Sequence, residues 1–325
     1  MSDPVPVETG FDPDTASAEA VQTETDGKRE GRTYRPEMSD AGLRPAHEVV
    51  AIDEFGQPRS GYIAGERALT LFLDGREIVT LMTLGTHPEM LTLGYLLNQR
   101  LVPCIESVDS IRVDWDKAQV QIETFERITD LDEKLKHRTV TTGCGQGTVF
   151  GKIGDQIEKI RVPRVAISQA SIYRLLSGIS AHNEVYRRAG AVHGCALCSV
   201  TAESEPDIHL FVEDVGRHNA ADSVSGYMWL NAISGKDKWF YTTGRLTSEM
   251  VIKVAQMQIP VLLSRSGVTQ RGLELAQKIG VVLIARAKGR HFLVYNGAAQ
   301  INFDAIPDAN EHARNHAGGK GRHSQ

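Results

Sequence analysis

The sequence predicts an α/β protein: a mixed sheet covered by helices, preceded by a smaller α+β unit. Three observations predict it. Strand-like apolar runs alternate with helical periodicity from about residue 193 to 285, the pattern of a largely parallel or mixed sheet with helices packed on it. Before that, two pairs of short apolar runs flank turn residues, as antiparallel hairpins do. Between those pairs lies a helix opened by proline.

In the smaller unit, Ala68–Leu73 and Glu77–Met82 read as strands joined around Asp74-Gly75. Pro88 then opens a helix that carries Met90, Leu91, Leu93, Leu96 and Leu97 on or near one face. Ser110–Trp115 and Gln119–Phe125 read as a second hairpin. In the larger unit, Ser168 caps a helix to His182 with Ile172, Leu175, Leu176 and Ile179 in period. Strands at about 193–200 and 208–213 precede a helix from about 218 to 232. Strand Trp239–Thr243, helix Ser248–Gln258, strand Pro260–Ser264, helix Gln270–Ile279 and strand Val281–Ala285 complete the alternation. Ligands of such sheets collect where strand ends meet helix starts.

The expected boundaries are a disordered acidic tail over 1–45, the small α+β domain over 46–138, the larger α/β domain over 139–306 and a second disordered tail over 307–325. The first tail holds ten acids and five bases and lacks apolar periodicity, so it cannot bury enough surface to offset its ordering. It alone accounts for the chain's net charge of −5, and the rest is close to neutral. That balance argues against a nucleic-acid partner, which usually meets a basic face. No apolar run approaches the roughly 20 residues that span a bilayer, and the polar, acidic start does not read as a signal peptide. The expectation is a cytoplasmic protein with no membrane partner. Four cysteines in 325 residues are too few for a disulfide scaffold, so each is expected to be buried, ligating or reactive.

Cys144 is the first chemical candidate. It stands among glycines in Thr141-Thr142-Gly143-Cys144-Gly145-Gln146-Gly147-Thr148. Glycines leave a sulfur unshielded and let a ligand approach the backbone closely. A thiolate placed so can attack a sulfur donor, hold a persulfide and deliver the outer sulfur. The plain alternative is a small buried hydrophobe in a turn.

Three further segments sit at strand-to-helix or strand-end turns. Glu213-Asp214-Val215-Gly216-Arg217-His218-Asn219-Ala220-Ala221-Asp222 offers helix-start amides and the Arg217 fork to an anion, with Asp214 placed to orient Arg217 or His218. A capping and salt-bridge cluster is the alternative. Thr242-Thr243-Gly244-Arg245-Leu246-Thr247-Ser248-Glu249 suits a phosphate or guanine nucleotide, or is simply an N-cap by Thr247 or Ser248. Arg286-Ala287-Lys288-Gly289-Arg290-His291 reads as a basic turn, for an anion or for solvent.

His182-Asn183-Glu184, followed by Cys195-Ala196-Leu197-Cys198, outlines a zinc deaminase site, in which zinc activates water and a glutamate shuttles protons. Three details oppose it. No proline precedes Cys195, only ten residues separate Glu184 from Cys195, and His182 ends a helix rather than starting one. On a strand, cysteines three apart face opposite ways.

Taken together, the segments resemble the FdhD/NarQ family of formate dehydrogenase accessory sulfurtransferases, over roughly residues 50 to 300. The string EDVGRHNAAD (213–222) is the most specific. TTGRLTSEMVIKVAQMQIPVLLSRSGVT (242–269), LELAQKIGVVLI (273–284), GAVH (190–193) and HPEMLTLGYLLNQRLV (87–102) support it. The resemblance implies a cytidine-deaminase-like larger domain without the deaminase zinc site, and a homodimer. It implies that a cysteine desulfurase loads Cys144 with a persulfide sulfur. That sulfur passes to a molybdenum bis(molybdopterin guanine dinucleotide) cofactor, bound as substrate, before insertion into the catalytic subunit of formate dehydrogenase. Arg286, Ala287, Lys288, Gly289, Arg290 and His291 correspond to the family's cofactor turn. Arg217, His218, Asn219, Gly244 and Arg245 would line the nucleotide-facing side, and no permanently bound metal is expected.

The sequence departs from the family pattern in places. The family loop carries two cysteines in C-x-x-C, whereas here Gly147 replaces the second, so only a single persulfide can operate there. Ser223 follows Asp222 where lysine is usual, Ser266-Gly267-Val268-Thr269 replaces Ser-Ala-Pro-Thr, and the cofactor turn carries Arg286 in place of its usual aromatic. Two other functions compete with sulfur transfer: a cofactor-binding chaperone without sulfur chemistry, and a zinc-dependent hydrolase using His182, Glu184, Cys195 and Cys198.

Overall fold

Alternation of apolar and polar residues in Arg67–Leu73 and Arg76–Thr83 puts one side of each strand in a core, and Asp74-Gly75, both at positive φ, turns the chain between them. These strands belong to a computed structural model that describes residues 34–131, 139–141, 147–148 and 159–307. Strands β1 (Glu37–Met38), β2 (Ala46–Ile52), β3 (Pro58–Ala64), β4 (Arg67–Leu73) and β5 (Arg76–Thr83) come first. Helix α1 (Pro88–Asn98), β6 (Val108–Asp114) and β7 (Gln119–Thr124) follow. The first sheet has the order β1-β6-β7-β4-β5, and β2 and β3 form a separate two-stranded ribbon. Leu69, Leu71, Leu81 and Ile111 fill the core between this sheet and α1.

Residues 34–45 depart from the expected tail. Tyr34 donates its hydroxyl hydrogen to Val108 O at 2.5 Å, β1 pairs with β6, and Trp115 Nε1 donates to Ala41 O at 2.7 Å. Glu89, in the first turn of α1, accepts from Ser39 Oγ and from the Ala41 amide. Specific polar anchors hold this stretch, and a count of apolar residues does not reveal them. The rest of the acidic tail, the tail from 308 and Cys144 lie outside the described residues.

Short pairs β8 (Thr139–Thr141) with β9 (Gly147–Thr148), and later β10 (Ile167–Ser168) with β17 (Ile301–Asn302), flank the second sheet. Its elements are helices α2 (Gln169–Ile179) and α3 (Glu184–Ala189), β11 (His193–Ser199), β12 (Asp207–Asp214), α4 (Arg217–Leu230), β13 (Lys238–Thr242), α5 (Ser248–Gln256), β14 (Val261–Ser264), α6 (Gln270–Ile279), β15 (Val282–Lys288) and β16 (His291–Asn296). The order is β12-β11-β13-β14-β15-β16, with β13, β14 and β15 parallel and the outer pairings antiparallel. Ser168 Oγ caps α2 by accepting from Ser171 N, Thr269 caps α6, and Gly280 at φ 93° ends it. One core, with Phe240, Leu262 and Leu283, lies beneath α4, α5 and α6; the other, with Ile172, Leu175 and Leu263, lies beneath α2. Among the described residues, no helix is long and apolar enough to cross a membrane, which says nothing of a β-barrel.

The expected turn Arg286–His291 is in fact the end of β15, a tight turn and the start of β16. Arg286 adopts φ 51° and forms a bulge, so pairing resumes at Lys288 with His291.

Candidate functional site

Strands β12, β13 and β14 end on one edge of the second sheet, and α4, α5 and α6 begin there. Antiparallel β11 starts on the same edge with His193. This is where an α/β sheet offers helix-start amides to an anion.

The loops at this edge are tied together by backbone and hydroxyl groups. Thr243 Oγ1 accepts from Gly194 N at 2.9 Å, and Thr243 N donates to Gly194 O at 2.9 Å. Ser264 Oγ donates to Gly244 O at 2.6 Å, and Leu246 pairs with Val268 between the loops that follow β13 and β14. Gly244 is needed for contact, since a Cβ there would lie 2.8 Å from Arg217 Cδ. Arg217 is thereby packed across Gly244 and is only 3% exposed, whereas Arg245 is exposed.

His193 reports the electrostatics of the edge. Burial is the largest influence depressing its basicity, and the charges of Arg217, Arg245, His218 and Arg265 depress it further. A neutral His193 among arginines is an environment that favours an incoming anion. Arg265, unassigned from sequence, joins the cluster and stands over the ring of Tyr186 at 5.1 Å. Its string, Ser264-Arg265-Ser266-Gly267, follows a strand as Gly244-Arg245 does, and that parallel was the available signal.

Other expected residues are placed differently. His218 is buried, with Nε2 3.0 Å from Glu249 Oε2. Asn219 Nδ2 donates to Asp214 Oδ1 at 2.9 Å and to Met82 O at 2.6 Å. Asp214 was expected to orient Arg217 or His218. Its carboxylate instead accepts from Thr83 Oγ1 at 2.5 Å, Leu84 N at 3.1 Å, Gly216 N at 3.0 Å and Asn219, which fills its acceptor capacity. It ties the start of α4 to the end of β5 in the first sheet. Glu213 accepts from Val185 N and Tyr186 N and so holds α3. Thr247 precedes α5, but its side chain makes no capping bond.

Arg286 reaches toward the same edge: its Nη2 is 4.0 Å from where a Gly267 Cβ would stand, and its amide donates to Ser266 O at 2.8 Å. Ala287 is buried, and Lys288 and Gly289 are exposed. Arg290 stands 5.3 Å from the centre of the Tyr173 ring on α2, so the far end of this hairpin is directed toward α2. His291 opens β16.

The cysteine pair cannot grip one metal. Cys195 faces the core beneath α4–α6 and Cys198 the core beneath α2, on opposite sides of β11. Burial pushes the Cys195 thiol up to about 12 and pushes Cys198 up as well. His182 is stacked on Phe211, with ring centres 5.7 Å apart.

A mixed α/β protein with a cationic edge where strands give way to helices is the class that fold and site define. The motifs that build the edge coincide with a sequence profile described as the FdhD/NarQ family, which matches residues 64–302. The chain belongs to the FdhD/NarQ family. It is 26% identical over 261 residues to the sulfur carrier protein FdhD of Wolinella succinogenes, covering 79% of this chain and 90% of that one. With the sulfur carrier protein FdhD of Shouchella clausii it shares 29% identity, over 77% of this chain and 91% of the relative. A crystal structure from Desulfotalea psychrophila, described as that of a candidate formate dehydrogenase accessory protein, superposes with a TM-score of 0.60 at 25% identity. It covers 79% of this chain and 98% of its own.

Proposed function

We propose that this chain is a sulfur carrier for a formate dehydrogenase. Cys144 takes sulfur from a cysteine desulfurase as a persulfide: its thiolate attacks the donor's outer sulfur, one S–S bond forms, another breaks, and the donor leaves as a thiolate. The outer sulfur is then passed to a molybdenum bis(molybdopterin guanine dinucleotide) cofactor held as substrate, ahead of insertion into the enzyme's catalytic subunit. The observation that carries this reading is the cationic edge. Exposed Arg245 and half-buried Arg265, with buried Arg217 nearby, add their charges to burial in depressing the basicity of His193, and the two accessible guanidinium groups suit the phosphates of such a dinucleotide.

On this reading the larger sheet is a cytidine-deaminase-like scaffold kept for binding, and the protein works in the cytoplasm as a homodimer. The strand and helix order around β11–β15 and the two covered faces support the scaffold assignment. Buried Cys195 and Cys198 favour Cys144 as the sulfur acceptor, because a protonated, shielded thiol is a poor nucleophile.

Formate dehydrogenase activity in cells carrying Cys144→Ala or Cys144→Ser tests the reading. Sulfur transfer predicts loss of client activity in both variants. Full activity in both would favour a cofactor chaperone that works without sulfur chemistry, a reading motivated by Gly147 standing where the family has a second cysteine.

A further inference from the structure

Strand β11 opens at the cationic edge with His193 and closes at the opposite edge of the sheet with Ser199, about 20 Å away at the usual rise of a strand. The chain returns from there as β12, beginning with Asp207. Ser199 pairs directly with Asp207. The register then shifts between Cys198–Ile208 and Leu197–Leu210, so His209 is the extra residue of a β-bulge. Residues opposite one another, or two apart on one strand, share a face. Ser199, Asp207 and His209 therefore stand together on the side of Leu197, which faces the core beneath α4, while Ile208 turns with Cys198 toward the core beneath α2.

These three side chains are linked in series. Ser199 Oγ is 2.7 Å from His209 Nε2, and His209 Nδ1 is 3.3 Å from Asp207 Oδ2. An ionised carboxylate only accepts, so Asp207 selects the neutral tautomer that keeps its proton on Nδ1. Nε2 then carries a lone pair and accepts from the Ser199 hydroxyl. A hydroxyl bonded to a base that a carboxylate orients is how a serine is activated as a nucleophile. Ser199 and His209 are both partly exposed, so a reactant can reach the oxygen. Lys238 lies opposite Ser199 on β13 and so shares its face; its side chain is only 12% exposed and pairs with Asp237 at 2.7 Å. Its ammonium brings positive charge to the face on which an attacked carbonyl oxygen turns negative.

We propose that Ser199, His209 and Asp207 form a second active site, which hydrolyses esters of small acyl groups. Ser199 Oγ attacks the ester carbonyl carbon as its proton moves to His209 Nε2. The bond from that carbon to the alcohol oxygen breaks, and the alcohol leaves with the proton. Water, giving a proton to His209, then attacks the acyl-serine; the acid leaves and Ser199 recovers its proton. Ser199 and His209 are catalytic residues in this reaction, and Asp207 is a positioning residue. The acyl group is small because Ser199 is only partly exposed at a sheet edge. Neither Cys144 nor the cationic edge takes part, so the proposal stands apart from the sulfur-carrier reading.

Hydrolysis of p-nitrophenyl acetate by the full chain tests this, with Ser199→Ala as the baseline, because thiols and amines also react with the ester. The parent should exceed that baseline, and peptide mapping after an acid quench should place an acetyl group on Ser199. His209→Ala should lower the rate above baseline about a hundredfold, the scale of a general base. Added imidazole should restore part of it, measured against Ser199→Ala in the same buffer; a histidine that only held the hairpin would not be replaced so. Asp207→Asn should lower the rate about tenfold, the scale of one charged hydrogen bond, and Asp207→Glu should recover part of the loss. Melting temperatures and sulfur loading of Cys144 should match the parent in all of these variants. The proposal is overturned if Ser199→Ala hydrolyses the ester as fast as the parent, if acetyl groups appear only on other residues, or if His209→Ala keeps the parent's rate.

Discussion

Gly94 of α1 and Gly226 of α4 lie back to back: a Cβ on Gly94 would stand 2.9 Å from Gly226 N, and a Cβ on Gly226 would stand 3.0 Å from Gly94 N. The same added atoms would overlap the carbonyl oxygens of Asp222 and Met90. The two helices therefore meet backbone to backbone, and this crossing joins the two sheets. Neighbouring side chains reinforce it. Asn98 Nδ2 donates to Asp222 Oδ1 at 2.7 Å and lies 3.0 Å from Ser225 Oγ, and Lys253 pairs with Asp222 in the same buried site.

Gly94→Ala or Gly226→Ala is accordingly expected to destabilise by at least the 1–3 kcal/mol, roughly, of an overpacked core, because the obstacle is backbone and cannot rotate away. Thermal unfolding followed by circular dichroism would show a fall in melting temperature. A melting temperature within a degree of the parent would contradict the close crossing.

Asp214 is the other tie between the sheets. Asp214→Ala strands the donors of Thr83, Leu84, Gly216 and Asn219 in a buried place. The loss should be on the order of 3 kcal/mol in urea unfolding, with Thr83→Val costing about 1 kcal/mol. Equal losses in the two variants would mean that Thr83 alone matters.

The cysteines divide by accessibility. At pH 8 a thiol shifted to about 12, as Cys195 is, exposes only about one part in ten thousand as thiolate. Brief iodoacetamide treatment of the native protein should therefore label exposed Cys104 and spare Cys195 and Cys198 until denaturant is added. Peptide mapping reads the result. Native labelling of Cys195 would show that β11 opens.

Anion binding at the cationic edge should be linked to protons through His193. Its folded-state basicity is depressed, first by burial and then by Arg217, Arg245, His218 and Arg265. The unfolded chain thus takes up a proton near pH 6.5, where the folded chain does not. His193's share of stability is complete above that pH and is lost as pH falls toward its lowered value. A bound anion offsets the neighbouring charges and raises His193's proton affinity, so sulfate, which does not titrate here, should bind more tightly as pH falls through the lowered range in which the folded His193 takes up its proton. His193→Asn should flatten that dependence, and Arg245→Ala should weaken sulfate about tenfold at every pH. A pH profile unchanged by His193→Asn would remove the linkage.

Much of this architecture was legible in the sequence because local signals and burial agree. Pro88 starts α1, Ser168 caps α2 and Thr269 caps α6 where the periodicity begins. The β2–β3 ribbon was not legible. Val50, Ile52 and Ile63 are exposed, so no inside–outside alternation marks it. Its turn is held by Asp53 Oδ1, which accepts from the amides of Phe55 and Gln57. At the candidate site, Arg217, Gly244 and Arg245 were each legible as following a strand end, while their grouping with His218 and Asn219 came from the family resemblance. Asp214's partner Thr83 was not, since it lies in the other sheet 131 residues away. Nor was the division between exposed Arg245 and buried His218 and Asn219, which depends on how α4 packs against α5 and β5.

The central claim, that Cys144 carries sulfur, is tested most directly by the intact mass of the protein after incubation with a cysteine desulfurase and cysteine, with Cys144→Ala alongside. A persulfide on Cys144 gives a reducible gain of about 32 Da, one sulfur atom, in the parent and none in the variant. No gain in the parent, or a gain that survives Cys144→Ala, would contradict it.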